Sequence, residues 1–220
     1  MTVIFPPIET ATEDGLIGVG GDLKVETLVA AYSQGIFPWP ISSEYPLTWF
    51  SPDPRGILMV NEFHCSRSFK KFVKNTDLIV RFNCDFAAIM KACQEAVRPT
   101  QHSTWITHPM VKAYVKLFEA GHAFCVGIYQ NELLVGGLYG VKIGQYYAGE
   151  SMFHHVDNAS KLALYALMEK FKEHDIPWLD TQMVTEITSA MGAKEIPRSY
   201  FLMLHQKQVC KEAISQSNCP

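Results

Sequence analysis

The chain has 220 residues, 48% of them hydrophobic and 19% charged, with a formal net charge of -3. That length and apolar content suffice for a buried core without disulfide or metal staples, and no run approaches the roughly 20 apolar residues of a membrane span. A negative balance excludes a protein that coats nucleic acid with its whole surface, because such binding neutralises phosphates with Lys and Arg.

The start, Met1-Thr2-Val3-Ile4-Phe5-Pro6-Pro7, has neither the basic stretch nor the apolar run of an export signal, so a cytoplasmic location is expected. Next, Gly15, Gly18, Gly20 and Gly21 precede a helical pattern from about Lys24 to Gln34. It carries Leu28, Val29 and Tyr32 on one face, Asp22 as an N-terminal cap and Gly35 as a stop. Prolines then break regular structure through Phe37-Pro38-Trp39-Pro40 and Trp49-Phe50-Ser51-Pro52-Asp53-Pro54-Arg55, where the aromatics supply burial. This punctuation predicts a small N-terminal domain over 1–57 and a larger domain over 58–220.

Ser66 to Lys74 reads as a short helix with Arg67, Lys70, Lys71 and Lys74 grouped on one side; alone, such a group is a solvated helix face. Strands are predicted at Leu78 to Asn83 and Gln145 to Glu150, a hairpin at Ala123 to Tyr129 and Glu132 to Tyr139, and a buried strand at Trp178 to Met183. Helices are predicted at Phe86 to Glu95, Pro109 to Ala120 and Ala159 to His174. The order implies an α+β fold, a mixed sheet packed by helices.

Asp180 and Gln182 stand two apart on a predicted strand, which puts both side chains on one face, and Glu150 falls at the end of another. On the bare pattern alone the favoured reading is that Asp180 ends a strand, Gln182 begins a loop and Glu150 is an exposed strand end. Gly136-Gly137-Leu138-Tyr139-Gly140 lacks the spacing of a phosphate loop, and its glycines read as a bulge or a close backbone approach. His154-His155 has no ligand partner at metal spacing, and Ser151 has no nucleophile elbow and no assigned base. The cysteines Cys65, Cys84, Cys93, Cys125, Cys210 and Cys219 contain no C-x-x-C pair and are expected to be reduced thiols. No metal and no cofactor are expected.

These residues stand in strings that resemble the bacterial leucyl/phenylalanyl-tRNA-protein transferase family. The strings include Gly20-Gly21-Asp22-Leu23, Gly35-Ile36-Phe37-Pro38-Trp39, Trp49 to Arg55, Ser66-Arg67-Ser68 and Thr104-Trp105-Ile106-Thr107. Further on come Leu134 to Gly140, Gly149-Glu150-Ser151-Met152-Phe153, Asn158-Ala159-Ser160-Lys161, Asp180-Thr181-Gln182 and Glu195-Ile196-Pro197-Arg198, all in family order from about Gly15 to Leu204.

The resemblance implies a small N-terminal domain followed by an acetyltransferase-like (GNAT-like) domain. It implies transfer of Leu, Phe or, less efficiently, Met from Leu-tRNA, Phe-tRNA or Met-tRNA to proteins or peptides with N-terminal Arg or Lys, marking them for degradation. A monomer that does not contact a membrane is expected. In this reading Gln182 accepts a hydrogen bond from the acceptor amine, Asp180 orients Gln182 and stabilises the developing charge, and Glu150 completes the network. By family correspondence the aminoacyl side chain enters an apolar pocket of Trp105, Leu138, Tyr147 and Leu167, with Met152, Ser151 and Trp39 beside them. Arg67, Lys70, Lys71 and Lys74 would contact the tRNA backbone. Ile187 and Ala190 depart from the pattern, standing where the family usually has His and Ser. A coenzyme A-dependent acyltransferase is one alternative, but its pyrophosphate-binding loop is missing from the sequence; a related tRNA-dependent enzyme acting on cell-wall peptides and a non-catalytic binder of tRNA ends or N-degron peptides are the others.

Overall fold

The computed structural model describes residues 4–41, 45–96 and 104–211. Its N-terminal part holds β1 (Leu16–Val19), α1 (Val25–Tyr32), β2 (Phe37–Pro38) and β3 (Thr48–Phe50), and the three strands form a small antiparallel sheet in the order β1-β3-β2. The prolines on either side keep these strands short, since each proline removes a ladder donor. Asp22 does not cap α1 itself. Its carboxylate accepts the Lys24 N–H and the Thr27 hydroxyl, and contact with the Lys24 side chain helps hold its pKa down at about 2.

From Arg55 onward the chain builds a seven-stranded sheet in the order β10-β4-β9-β8-β7-β6-β5. Its members are β4 (Arg55–Met59), β5 (Ile79–Phe82), β6 (Ala123–Gln130), β7 (Leu133–Ile143), β8 (Tyr146–His154), β9 (Trp178–Gln182) and β10 (Lys194–Ile196). The helices are α2 (Arg67–Asn75), α3 (Phe86–Glu95), α4 (His108–Glu119), α5 (Ala159–Glu173), α6 (Glu186–Ala190) and α7 (Arg198–Val209). The α+β class and the mixed sheet packed by helices are as expected. The short strands β1 to β4 and β10, and the helices α6 and α7, lie beyond what the periodicity predicts.

Two apolar cores sit on opposite faces of the large sheet. One takes Leu28 and Tyr32 from α1, Phe86 and Ile89 from α3, Tyr114 and Leu117 from α4 and Phe201 from α7. The other takes Phe69 from α2 and Leu162, Leu164, Leu167 and Phe171 from α5. Alternate residues of β7 serve them in turn: Tyr139 and Val141 face the first, Leu138 the second. The glycines of β7 allow a close backbone approach, one of the two readings their spacing permits. A Cβ on Gly136 would stand 2.5 Å from the Cβ of Ala159, the first residue of α5.

Every neighbouring strand pair is antiparallel except β8 and β9, which run parallel and share a single matched position, Ala148 with Asp180. No further rung joins the two strands, and this interruption of the ladder is the split in the sheet. The strand predicted to end at Glu150 instead continues to His154. Glu150 is the extra residue of a bulge, since Tyr139 faces Ser151 while Gly140 faces Gly149. Thr181 is the extra residue of a second bulge, with Ile57 opposite Asp180 and Gly56 opposite Gln182. Among the described residues, Cys65, Cys93, Cys125 and Cys210 take part in no disulfide.

Candidate active site

The split carries the two bulges on its two sides, and bulges re-aim side chains that regular alternation would point elsewhere. Gln182 ends β9 with φ of 55°, a left-handed conformation unusual for a side chain other than glycine or asparagine. Its backbone N–H is held by the Asp180 Oδ1 oxygen at 2.9 Å, so the carboxylate two residues earlier fixes that conformation. The bulge and the positive φ, rather than simple period-two alternation, set the relation between Asp180 and Gln182.

Asp180 is fully buried and fully engaged. Arg55 donates Nε to Oδ1 at 2.9 Å and Nη2 to Oδ2 at 2.7 Å, and Tyr146 donates its hydroxyl to Oδ2 at 2.5 Å. Arg55 is equally buried; it gives Nη1 to the Gly35 carbonyl and lies between the rings of Phe37 and Phe201, at 4.9 and 4.3 Å. Burial works against the guanidinium charge, but Asp180 more than offsets it and leaves the Arg55 pKa raised. Gly35 closes the turn that follows α1 with φ of 74°, and a Cβ there would meet the Phe201 ring at 2.8 Å.

Glu150 is placed differently. Its Oε1 accepts the Tyr32 hydroxyl at 2.8 Å and the Gln182 Nε2 at 3.2 Å, while Tyr32 shares a 2.6 Å hydrogen bond with Tyr114. The Tyr32 hydrogen is given to Glu150, so Tyr114 is the donor to Tyr32. Glu150 as a residue remains half-buried, but its carboxyl is enclosed by these partners. Burial pushes its pKa up to about 8; the Tyr32 hydrogen bond opposes the rise, the Asp180 charge adds to it and the Arg55 charge again opposes it.

The residues expected around the aminoacyl group fall on both faces of the sheet. Leu138, Tyr147 and Leu167 are buried in the core under α5, and Met152 packs against them opposite Leu138 in the ladder. Trp39 and Trp105 pack on the other core, stacked on each other at 5.0 Å with 12° between their planes. Ser151 pairs with Tyr139 beside Glu150. Arg67, Lys70, Lys71 and Lys74 lie on α2, which Ser66 caps by accepting the Phe69 N–H. Ile187 packs into the second core, and α6 is held by a reciprocal Thr185–Thr188 cap, so support there comes from the helix end itself. Among the described residues, no group of three or more His, Cys, Asp or Glu is arranged to hold a metal, and no helix is long and apolar enough to cross a membrane.

Sequence reasoning left Arg55, Tyr32, Tyr114, Tyr146 and His205 out of the site. Arg55 and Tyr32 lie in or beside the family strings, and a carboxylate as buried as Asp180 demands a cation. No spacing rule reaches across the 125 positions that separate Arg55 from it.

One carboxylate locked in an ion pair and a second pushed up to about 8, facing each other across a strand split, form the kind of contrast that acid–base catalysis uses. Such a contrast marks a candidate enzyme site. What kind of enzyme follows from comparison with known proteins. The profile for "Leucyl/phenylalanyl-tRNA protein transferase" matches residues 57–206, and the profile for its N-terminal domain matches residues 21–53. The chain belongs to this family.

Relatives named leucyl/phenylalanyl-tRNA–protein transferase include one from Azotobacter vinelandii, 45% identical over 199 residues, covering 90% of this chain and 87% of the relative. Another, from Pseudoalteromonas atlantica, is 42% identical over 215 residues, 97% of this chain and 91% of the relative. Among solved structures, a ribosomal-protein-alanine N-acetyltransferase from Brucella melitensis biovar Abortus 2308 is similar at 15% identity and a TM-score of 0.34, over 65% of this chain and 96% of that one.

Proposed function

We propose that this chain transfers Leu, Phe or, less efficiently, Met from its tRNA to the α-amine of proteins that begin with Arg or Lys, marking them for proteolysis. The observation that carries the reading is the Glu150–Gln182 contact across the split, made by the carboxyl of the two that is not locked in an ion pair. Asp180 is spent on Arg55 and Tyr146, so it orients Gln182 through the backbone N–H and supplies little net charge to the amine. Gln182 gives its Nε2 to Glu150, which leaves its side-chain oxygen for the incoming amine.

An α-ammonium group titrates near ~8, so at neutral pH a usable fraction of the acceptor has already lost one proton to solvent and is neutral amine. That amine nitrogen attacks the ester carbonyl, ionised Glu150 accepts the second proton that the nitrogen then sheds, and Glu150 returns it to the departing ribose oxygen. No covalent enzyme intermediate is needed, and positioning contributes most of the rate. The ester lies at the split, its side chain directed into the apolar face under α5 toward Leu138, Tyr147, Met152 and Leu167. Removing one methylene from such a pocket changes binding by about 1 to 3 kcal/mol, so selectivity is graded. Trp39 and Trp105 flank the opposite side, and Arg67, Lys70, Lys71 and Lys74 hold the tRNA backbone.

The test is single-turnover transfer to an Arg-initiated peptide. Glu150→Gln is expected to slow transfer by about 10² to 10⁴-fold, the range of a general base. Near wild-type rates in both Glu150→Gln and Gln182→Ala would end this assignment.

A further inference from the structure

Phe201 and His205 stand one turn apart on α7, and both face groups that hold the site's carboxylates. Phe201 lies over Arg55, and the His205 ring meets the Tyr146 ring edge-on at 4.3 Å. His205 also places Nε2 2.9 Å from the carbonyl of Tyr32, the last residue of α1. A carbonyl only accepts, so Nε2 carries the hydrogen. Tyr146 and Tyr32 in turn are the hydroxyl donors to Asp180 and Glu150. His205 is 3% exposed and lies between α1 and β8. A leucine or phenylalanine would fill such a place without the cost of drying an imidazole.

We propose that His205 is a positioning residue of the transfer site, whose Nε2–H fixes the end of α1 and whose ring fixes Tyr146, so that one side chain aligns both carboxylates. Burial holds its pKa down at about 4; the Tyr32 hydrogen bond and the Asp180 charge on β9 oppose that fall, and the Arg55 charge on β4 adds to it. The imidazole therefore stays neutral and keeps one tautomer through the neutral range. The proposal rests on the reading of Glu150 as the proton acceptor.

His205→Phe keeps a ring and removes the donor, His205→Gln keeps a donor of similar reach, and Tyr146→Phe removes only the hydroxyl. In single-turnover transfer to an Arg-initiated peptide, His205→Phe is expected to lower the saturating rate about 10-fold, with the Kd for aminoacyl-tRNA unchanged. His205→Gln is expected to recover most of that loss, and the apparent pKa of the rate profile is expected to move in His205→Phe but not in the core control Phe171→Leu. Combining Tyr146→Phe with His205→Phe is expected to cost less than the product of the single losses. A His205→Gln rate no better than His205→Phe, or an unmoved pKa with a wild-type rate in His205→Phe, overturns the proposal. The two readings separate in Glu150→Gln: a wild-type rate there removes Glu150 from the chemistry, whereas the ratio of the two His205 variant rates tests His205 whichever way that result falls.

Discussion

Asp180 and Glu150 are the same functional group in opposite circumstances. Asp180 receives four donors and shares a fully buried ion pair with Arg55. Removing one member of such a pair leaves the other charge buried alone, so Asp180→Asn and Arg55→Met are each expected to cost about 3–5 kcal/mol in urea unfolding. Glu150→Gln, by contrast, replaces a carboxyl whose ionised form the fold disfavours. It is expected to leave the urea midpoint at pH 8 unchanged or raised while transfer collapses. If Asp180→Asn unfolds no more easily than Glu150→Gln, the contrast between the two is wrong.

At the scale of elements, β7 and α5 meet where the Gly136 backbone touches Ala159. Gly136→Ala puts a methyl against the first turn of a helix that cannot retreat without moving its whole core face. It is expected to cost about 1–3 kcal/mol, read as a drop in the thermal midpoint. The basic face of α2 predicts a different effect. Replacing Arg67, Lys70, Lys71 and Lys74 by Ala should weaken tRNA binding and flatten its dependence on log salt by about 1 for each phosphate that is no longer neutralised, as fluorescence titration at several salt concentrations would show.

Long periodic elements such as α3, α4, α5 and the β6–β7 hairpin were legible because one apolar stripe or alternation spans each of them. The strands β1 to β4 are too short to show a period, and α7 mixes its buried Phe201 and His205 with polar neighbours. Within the site, Glu150, Asp180 and Gln182 were legible as residues but not as an arrangement. A bulge changes which positions face each other, and nothing in Gly149-Glu150-Ser151 or Asp180-Thr181-Gln182 announces one. Arg55 stands in a family string, yet its partner lies too far along the chain for any local rule.

For the whole molecule, two buried groups pull stability in opposite directions with pH. Glu150 is raised from 4.5 to about 8, so the folded state binds more protons than the unfolded chain between those values. Its contribution is complete below pH 4.5 and lost as pH rises through 8. His205 is lowered from 6.5 to about 4, so its contribution is complete above 6.5 and lost as pH falls through 4. Urea midpoints should therefore decline from pH 6.5 to 8 in the wild type, and Glu150→Gln should flatten that decline. A slope unchanged in the variant would show that Glu150 titrates at its ordinary value.

The single rung between β8 and β9 has a consequence for the solvent. On the side that faces β9, the stretch of β8 beyond Ala148 has no further matched rung, and in the free protein amides there should trade hydrogen for deuterium quickly. A bound aminoacyl ester would sit over the same backbone and slow that exchange. The gap in the sheet is thus its own reporter, and isotope uptake there would reveal occupancy by a non-hydrolysable substrate mimic without any turnover.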